Sequence, residues 1–240
     1  MTAPHRQFAA AAVAATALAF ADAAPASSAP TAYPTMAPLA QYLMADRAAE
    51  IALAKSAAPP SVSGDASVLV LGPHGYETAV KGSNGFVCIV ERAWTAPFDL
   101  PEFWNPRTRA PICYNAPAAR SVLPYTYKRT EMALAGWSKA KMLETLKAEK
   151  ARLAPPEPGA MSYMLSHQQY LGDAGKAWKP HLMFHIPTAA AASWGANQPG
   201  SPIILDTAHT EVPEPQTIFM IAAPAYSDGA PAAGPHAHGH

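Results

Sequence analysis

The pattern of apolar and polar positions changes character several times along the chain, and each change predicts an element. Phe8 to Ala21 is an uninterrupted run of small and apolar residues. Ala37 to Ser56 sets Leu39, Leu43 and Leu53 among Asp46, Arg47, Glu50 and Lys55 in an alanine-rich background, which predicts a helix. Ser67 to Leu71 is a short β-branched apolar run, Gly72-Pro73-His74-Gly75 is a turn, and Tyr76 to Lys81 alternates. Phe86 to Glu91 then follows the turn signal Ser83-Asn84-Gly85 as another strand. A two-residue turn at Asn84-Gly85 would set Val80 opposite Ile89, Lys81 opposite Cys88 and Glu77 opposite Arg92. Tyr76, Thr78, Val80, Val87 and Ile89 would then share one face, and Cys88 would leave from the other, more polar one.

Trp94 to Ile112 holds Pro97, Pro101, Pro106 and Pro111, so it cannot be a regular element. Its aromatics, Trp94, Phe98, Phe103 and Trp104, are expected to seal a sheet face rather than to stack on a ligand. Ala116 to Leu153 predicts helix, interrupted at Pro124 and at Gly136-Trp137, with Ser138 as an N-cap. Pro155-Pro156-Glu157-Pro158 ends that segment. Ala160 to Leu165, Trp178 to Ile186, Pro202 to Asp206 and Thr217 to Ala222 read as strands, and Ala189 to Trp194 as a short helix. Strands, then helices, then strands predict an α+β fold. The expectation is a mainly antiparallel sheet with helices packed on one face and a long Pro/aromatic loop stapled by one disulfide.

The apolar run near the start changes this picture. Arg6 precedes it and Ala21-Asp22-Ala23 follows, the order of a secretory leader ending at a signal-peptidase site. At roughly 14 residues the run is short for a membrane span. Residues 1–23 are therefore expected to be a signal peptide, 24–36 a flexible lead-in, 37–226 one α+β domain and 227–240 an unstructured His-rich tail. A periplasmic or secreted location follows, without stable membrane insertion after cleavage. Lys plus Arg equals Asp plus Glu, 17 each among 240 residues. That balance argues against a nucleic-acid partner, whose binding rests on neutralising phosphates. An oxidising compartment favours pairing Cys88 with Cys113, the only two cysteines. Closing that loop is worth about 3 kcal/mol in chain entropy.

No G-x-S-x-G elbow, H-E-x-x-H, phosphate loop, G-x-G-x-x-G or C-x-x-C occurs. The chemistry that remains centres on His181 and His185, which share one face if the segment is a strand. Four residues of strand separate them by about 13 Å, too far for one metal ion. A metal site would need further ligands from His74, His167, Asp173 or His209. Imidazole with carboxylate would suit zinc, and imidazole with Met183 or Met161 would suit copper. The plainer reading makes His181 a hydrogen-bonded core residue and His185 a surface one. Asp173 lies between Gly172 and Ala174-Gly175, where turn chemistry is the common role. His236, His238 and His240 could hold metal loosely. His74-Gly75 followed by Ser83-Asn84-Gly85-Phe86-Val87-Cys88 is similar to the L,D-transpeptidase pattern, but two extra residues separate Gly85 from Cys88, and a paired Cys88 is no nucleophile.

Lys81-Gly82-Ser83-Asn84-Gly85-Phe86-Val87-Cys88, Pro111-Ile112-Cys113, the Gly159 to Leu165 segment and Trp178-Lys179-Pro180-His181-Leu182-Met183 occur in that order. Together, from Lys81 to about Gly195, they resemble a group of exported bacterial proteins of uncharacterised activity with a K-G-T-N-G-W-x-C start and a later W-x-x-P-H-x-M. The resemblance supports the cysteine pair and singles out His181; it implies no activity. The expected function is a non-catalytic domain that binds a small molecule or an envelope component. The alternative is a metal-dependent hydrolase or metal-binding protein centred on His181, with Asp173 or His167.

Overall fold

A computed structural model describes residues 33–173, 179–206 and 212–232. The expected leader, the lead-in up to residue 32, Trp178, His209 and the three histidines of the tail lie outside these residues. Eight strands form one sheet: β1 (Ser67–Gly72), β2 (Gly75–Val80), β3 (Val87–Glu91), β4 (Ala110–Tyr114), β5 (Met161–Met164), β6 (His181–Ile186), β7 (Ile203–Ile204) and β8 (Thr217–Ala222). Their order is β2-β1-β3-β4-β5-β6-β8-β7, and every pairing is antiparallel except β1 with β3. The α+β class and the mainly antiparallel sheet are as the sequence predicts. The described residues hold five α-helices: α1 (Arg47–Lys55), α2 (Pro60–Ser63), α3 (Ala116–Ser121), α4 (Leu123–Leu134) and α5 (Lys139–Glu149).

The parallel pair overturns the expected hairpin at Asn84-Gly85. The hairpin lies one turn earlier, with Gly72 opposite Gly75 across Pro73-His74. The chain then leaves edge strand β2, passes the end of β1 and enters β3 on the far side, where Val68 pairs with Cys88. Gly82 makes that crossing: a Cβ there would fall 2.2 Å from Ser67 N and 2.3 Å from Ala66 C. Asn84 fixes it, its Oδ1 accepting from Phe86 N (3.0 Å) and its Nδ2 donating to Val62 O (2.7 Å). Gly85 supplies a left-handed φ of 80°. Asn-Gly is turn chemistry in either topology, so the local signal was real and the partner strand was not. The expected Glu77–Arg92 pair therefore does not form: Glu77 bonds Arg47, and Arg92 bonds Glu50.

Helices cover both sides of the sheet, not one. On one side α1 places Leu53 and Ala54 against Val68, Cys88, Val90 and Cys113. Cys88 and Cys113 are register partners on adjacent strands and form the disulfide, both fully buried. The face that carries Cys88 is thus apolar, contrary to the polar face expected, because the hairpin that would have put Lys81 beside it does not exist. On the other side α3 and α4 bring Ala118, Val122, Leu123 and Tyr125 against Leu69, Ile89, Ile112, Tyr114 and Met164.

Helix limits follow from caps and prolines. The predicted helix from Ala37 begins only at Arg47, where Asp46 Oδ1 accepts from Ala48 N and Ala49 N. Before it lies a single 3₁₀ turn, Leu39–Gln41. Pro124 sits in the first turn of α4, where its missing N–H costs nothing. Ser138 caps α5 as expected, accepting from Lys141 N at 3.3 Å. The Pro/aromatic loop lies within the span closed by the disulfide. Its Trp94, Phe98, Phe103 and Trp104 pack with Tyr42, Leu71, Met132, Met142 and Leu146. They fill a third core between the loop, α4 and α5 rather than covering the cysteine face.

Order extends past both expected domain limits. Tyr33 N donates to Pro101 O and Tyr42 Oη donates to Trp104 O, so residues 33–42 form a strap docked on the aromatic loop. At the other end Ser227 donates from N to Leu165 O and from Oγ to Ser56 O, and Ala232 N donates to Pro224 O.

Candidate functional site

The histidines of β6 are both buried. His185, expected at the surface, has only 3% of its area exposed. Its Nδ1 lies 3.1 Å from Gln216 Oε1 and its Nε2 lies 3.0 Å from Ser162 Oγ. An amide oxygen can only accept, so Nδ1 carries the proton and Nε2 accepts from Ser162. Burial drives the imidazole pKa down to about 4, against the pull of Gln216. Serine, imidazole and an orienting side chain have the connectivity of a nucleophile with its base. Ser162, however, is fully buried between β4 and β6, and a nucleophile must reach its substrate. The trio is a polar tie inside the core. Tyr114 lies beside it, ring centroids 6.2 Å from His185, and donates to Glu91 Oε1 (2.6 Å), which also accepts from Thr126 (2.6 Å). Burial, then Glu91, holds the Tyr114 phenol protonated well beyond its ordinary range.

The other expected ligands do not converge on His181. His181 is buried, its Nδ1 donates to Lys179 O (2.7 Å), and burial lowers its pKa. His74 occupies the β1–β2 turn at the sheet edge, five strand positions from β6. His167 lies 3.1 Å from Asp228 and edge-on to Tyr226. Among the described residues no group of three or more His, Cys, Asp or Glu side chains could hold a metal ion.

Asp173 is held elsewhere. Its Oδ2 accepts from Tyr33 (2.6 Å), and its Oδ1 accepts from Asn105 (3.0 Å), Tyr170 and Arg107. Glu102 accepts from Asp173 N and from Asn105 Nδ2. A Cβ at Gly172 would meet Glu102 Oε2 at 2.6 Å, so the glycine lets the two segments close. The Tyr170 and Tyr33 hydroxyls, then Asn105 and Arg107, hold the carboxyl pKa down to about 2. Four donors leave this carboxylate neither a base nor an open ligand. Asp173 is a latch joining the strap, the aromatic loop and the segment before β6.

What is open lies around Trp137. Gly136, at φ 72°, ends α4 in a left-handed turn, and Ser138 starts α5 two residues later. The residue between them is thrown outward. One cleft of about 460 Å³ is lined by the strap residues Pro34, Met36 and Leu39 together with Trp104, Leu134, Trp137 and Lys139. A second of about 600 Å³ lies between Pro124, Tyr127, Lys128, Glu131, Glu149 and Trp137. Trp137 is common to both. Lys141 Nζ sits 4.0 Å from its ring centroid, and Lys139 Nζ sits 5.7 Å from that of Phe103. The sequence marked Trp137 only as part of a helix break. The signal that could have found it is a large aromatic confined to a break too short to bury it.

The fold and these clefts define the class as a disulfide-bonded α+β domain with an aromatic surface cleft. The chain matches no protein-family model, no curated protein and no solved structure. Among the described residues no helix is long and apolar enough to cross a membrane.

Proposed function

We propose that the protein is an exported binding domain that seats a small, largely apolar ligand beside Trp137 and performs no chemistry on it. The observation that carries this is a half-buried indole forming the shared wall of two open clefts. Small-molecule sites are concave, chiefly apolar and about 300–1,000 Å³, and aromatic walls are common in them. The reactive side chains elsewhere are already satisfied: His185 and Ser162 by each other inside the core, Asp173 by four donors. Export is supported by the leader-like start and by the buried disulfide.

Fluorine NMR of chain containing 5-fluorotryptophan tests the site. Five tryptophans give five resonances, and Trp137→Phe identifies one. Ligands from an envelope-metabolite panel should move the Trp137 resonance first. Hits that leave it still and shift the protein elsewhere would discard the cleft. So would a full equivalent of zinc or copper lost on His181→Ala, in favour of a metal centre. Export is read separately by intact mass, which should lack residues 1–23 and two hydrogens.

A further inference from the structure

We infer that the strap-side cleft takes a free single-chain amphiphilic carboxylate, its headgroup at Lys139 and its alkyl chain along the strap; this rests on the binding reading above and names the ligand class. The two clefts differ in charge. The second is lined by Lys128, Glu131 and Glu149, and Lys128 already bonds Glu149. The strap-side cleft is lined by one cation, Lys139, and by no carboxylate. Among the described residues neither Lys139 nor the nearby Lys141 forms an ion pair; each ammonium rests on an aromatic ring instead. An anion arriving at Lys139 therefore displaces no carboxylate and meets none across the cleft.

The rest of the lining is chiefly apolar, with Thr35 and Ser138 as its other polar side chains. Pro34, Met36, Leu39 and Leu134 with the two indoles offer apolar walls in the same cleft as the ammonium. Methionine adapts its shape to a flexible chain. An extended peptide would bring a polar amide at every residue into a lining with few partners for it. A cationic amphiphile would meet Lys139 with like charge. A single alkyl chain with a terminal carboxylate satisfies the apolar walls and the ammonium at once. The strap that forms one wall is held by Tyr33 on Asp173 and by Tyr42 on Trp104, so the wall exists before any ligand arrives.

The experiment is calorimetry with the same fluorine NMR on the full mature chain, using dodecanoate, neutral monolauroylglycerol and dodecyltrimethylammonium below their micelle concentrations. Dodecanoate should bind one to one and move the Trp137 resonance, and each methylene removed should weaken it about fourfold. Lys139→Glu should weaken dodecanoate at least tenfold while its melting temperature stays that of the parent. Lys139→Gln should weaken it less. Equal binding of all three headgroups through Trp137 would overturn the anion preference and leave the cleft reading standing. Dodecanoate binding unchanged in both Lys139→Glu and Met36→Asp would place the ligand elsewhere and overturn the inference. If none of the three binds, the ligand class is wrong, and the broader panel alone then decides the cleft.

Discussion

The two sides of the central sheet are built from different materials. The α1 side is sealed by small and aliphatic groups around a covalent bond: Leu53, Ala54, Ala57 and Val68 against Cys88–Cys113. Its buried ion pair is that of Arg92, which donates to Glu50 (2.8 Å), to Tyr42 O (2.7 Å) and to Val90 O. Glu50 also accepts from Leu71 N, so helix, strands and strap meet at one ion pair. The α3–α4 side has a comparable ion pair, Arg129 to Glu214 at 2.6 Å, and it also holds a set of titratable and hydroxyl groups bonded to one another: Glu91 with Tyr114 and Thr126, and Ser162 with His185. One side is closed by a covalent bond. The other contains a neutral imidazole that must stay neutral. The lesson is that residues with catalytic reputations sit here as fasteners, on the side that lacks a covalent one.

The largest effect should come from unpairing the charge on the covalent side. Arg92→Met leaves Glu50 buried without its cation, which should cost about 3–5 kcal/mol. The double variant Arg92→Met/Glu50→Leu should recover much of that loss, since paired removal strands no charge. Denaturant unfolding of the three proteins measures it. A single variant no weaker than the double would mean that the pair is not the tie between α1 and the sheet. Removing the disulfide should come next. Cys88→Ala/Cys113→Ala should lose about 3 kcal/mol. Hydrogen exchange should show the loss in β3, β4 and α1 while β6 and β8 keep their protection. Uniform loss across the sheet would mean that the two sides do not open separately.

The covalent side was legible in the sequence, and the reason is chemical. Two cysteines in a chain with a leader-like start are expected to pair, and Cys88 with Cys113 left no choice of partner. The helix cap Ser138 was equally readable, because a cap is a local event, whereas Asp46 was read as an interior position of a helix from Ala37 and caps one that begins at Arg47. What local pattern could not supply was the route between strands. Asn84-Gly85 is turn chemistry whether the chain doubles back or crosses over, and only the tertiary contact of Gly82 with the Ser67 backbone decides. The wrong partner for β2 misassigned Val80, which packs on the Cys88 side, while Tyr76, Val87 and Ile89 do share the opposite one. His185 was misjudged for a related reason: two residues of alternating period say which face, and nothing about what covers it. Asp173 was read as a candidate ligand or as turn chemistry, and its role as a latch was out of reach because Tyr33, which completes its shell, lies 140 residues away in a stretch that reads as a linker.

The smallest effect separates the two sides by titration. His185 has its pKa lowered to about 4 in the folded chain, against about 6.5 unfolded. Between those values the unfolded chain binds a proton that the folded chain refuses, so stability rises with pH through this window and falls on acidification. From pH 7 to pH 5 the loss should be about 2 kcal/mol, a fall of roughly 4–8 °C in melting temperature. His181, lowered by burial, adds in the same direction. Asp173 acts in the same direction but in a lower window: its depressed pKa contributes stability that is present above the ordinary carboxylate range and lost as pH falls toward 2. His185→Gln should therefore flatten the pH 5–7 slope, while Cys88→Ala/Cys113→Ala should lower the whole curve without changing that slope. A parent whose melting temperature is level from pH 7 to pH 5 would mean that protonated His185 is accommodated, with Ser162 and Gln216 both accepting from it. The polar tie of the α3–α4 side would then bear no proton-linked load.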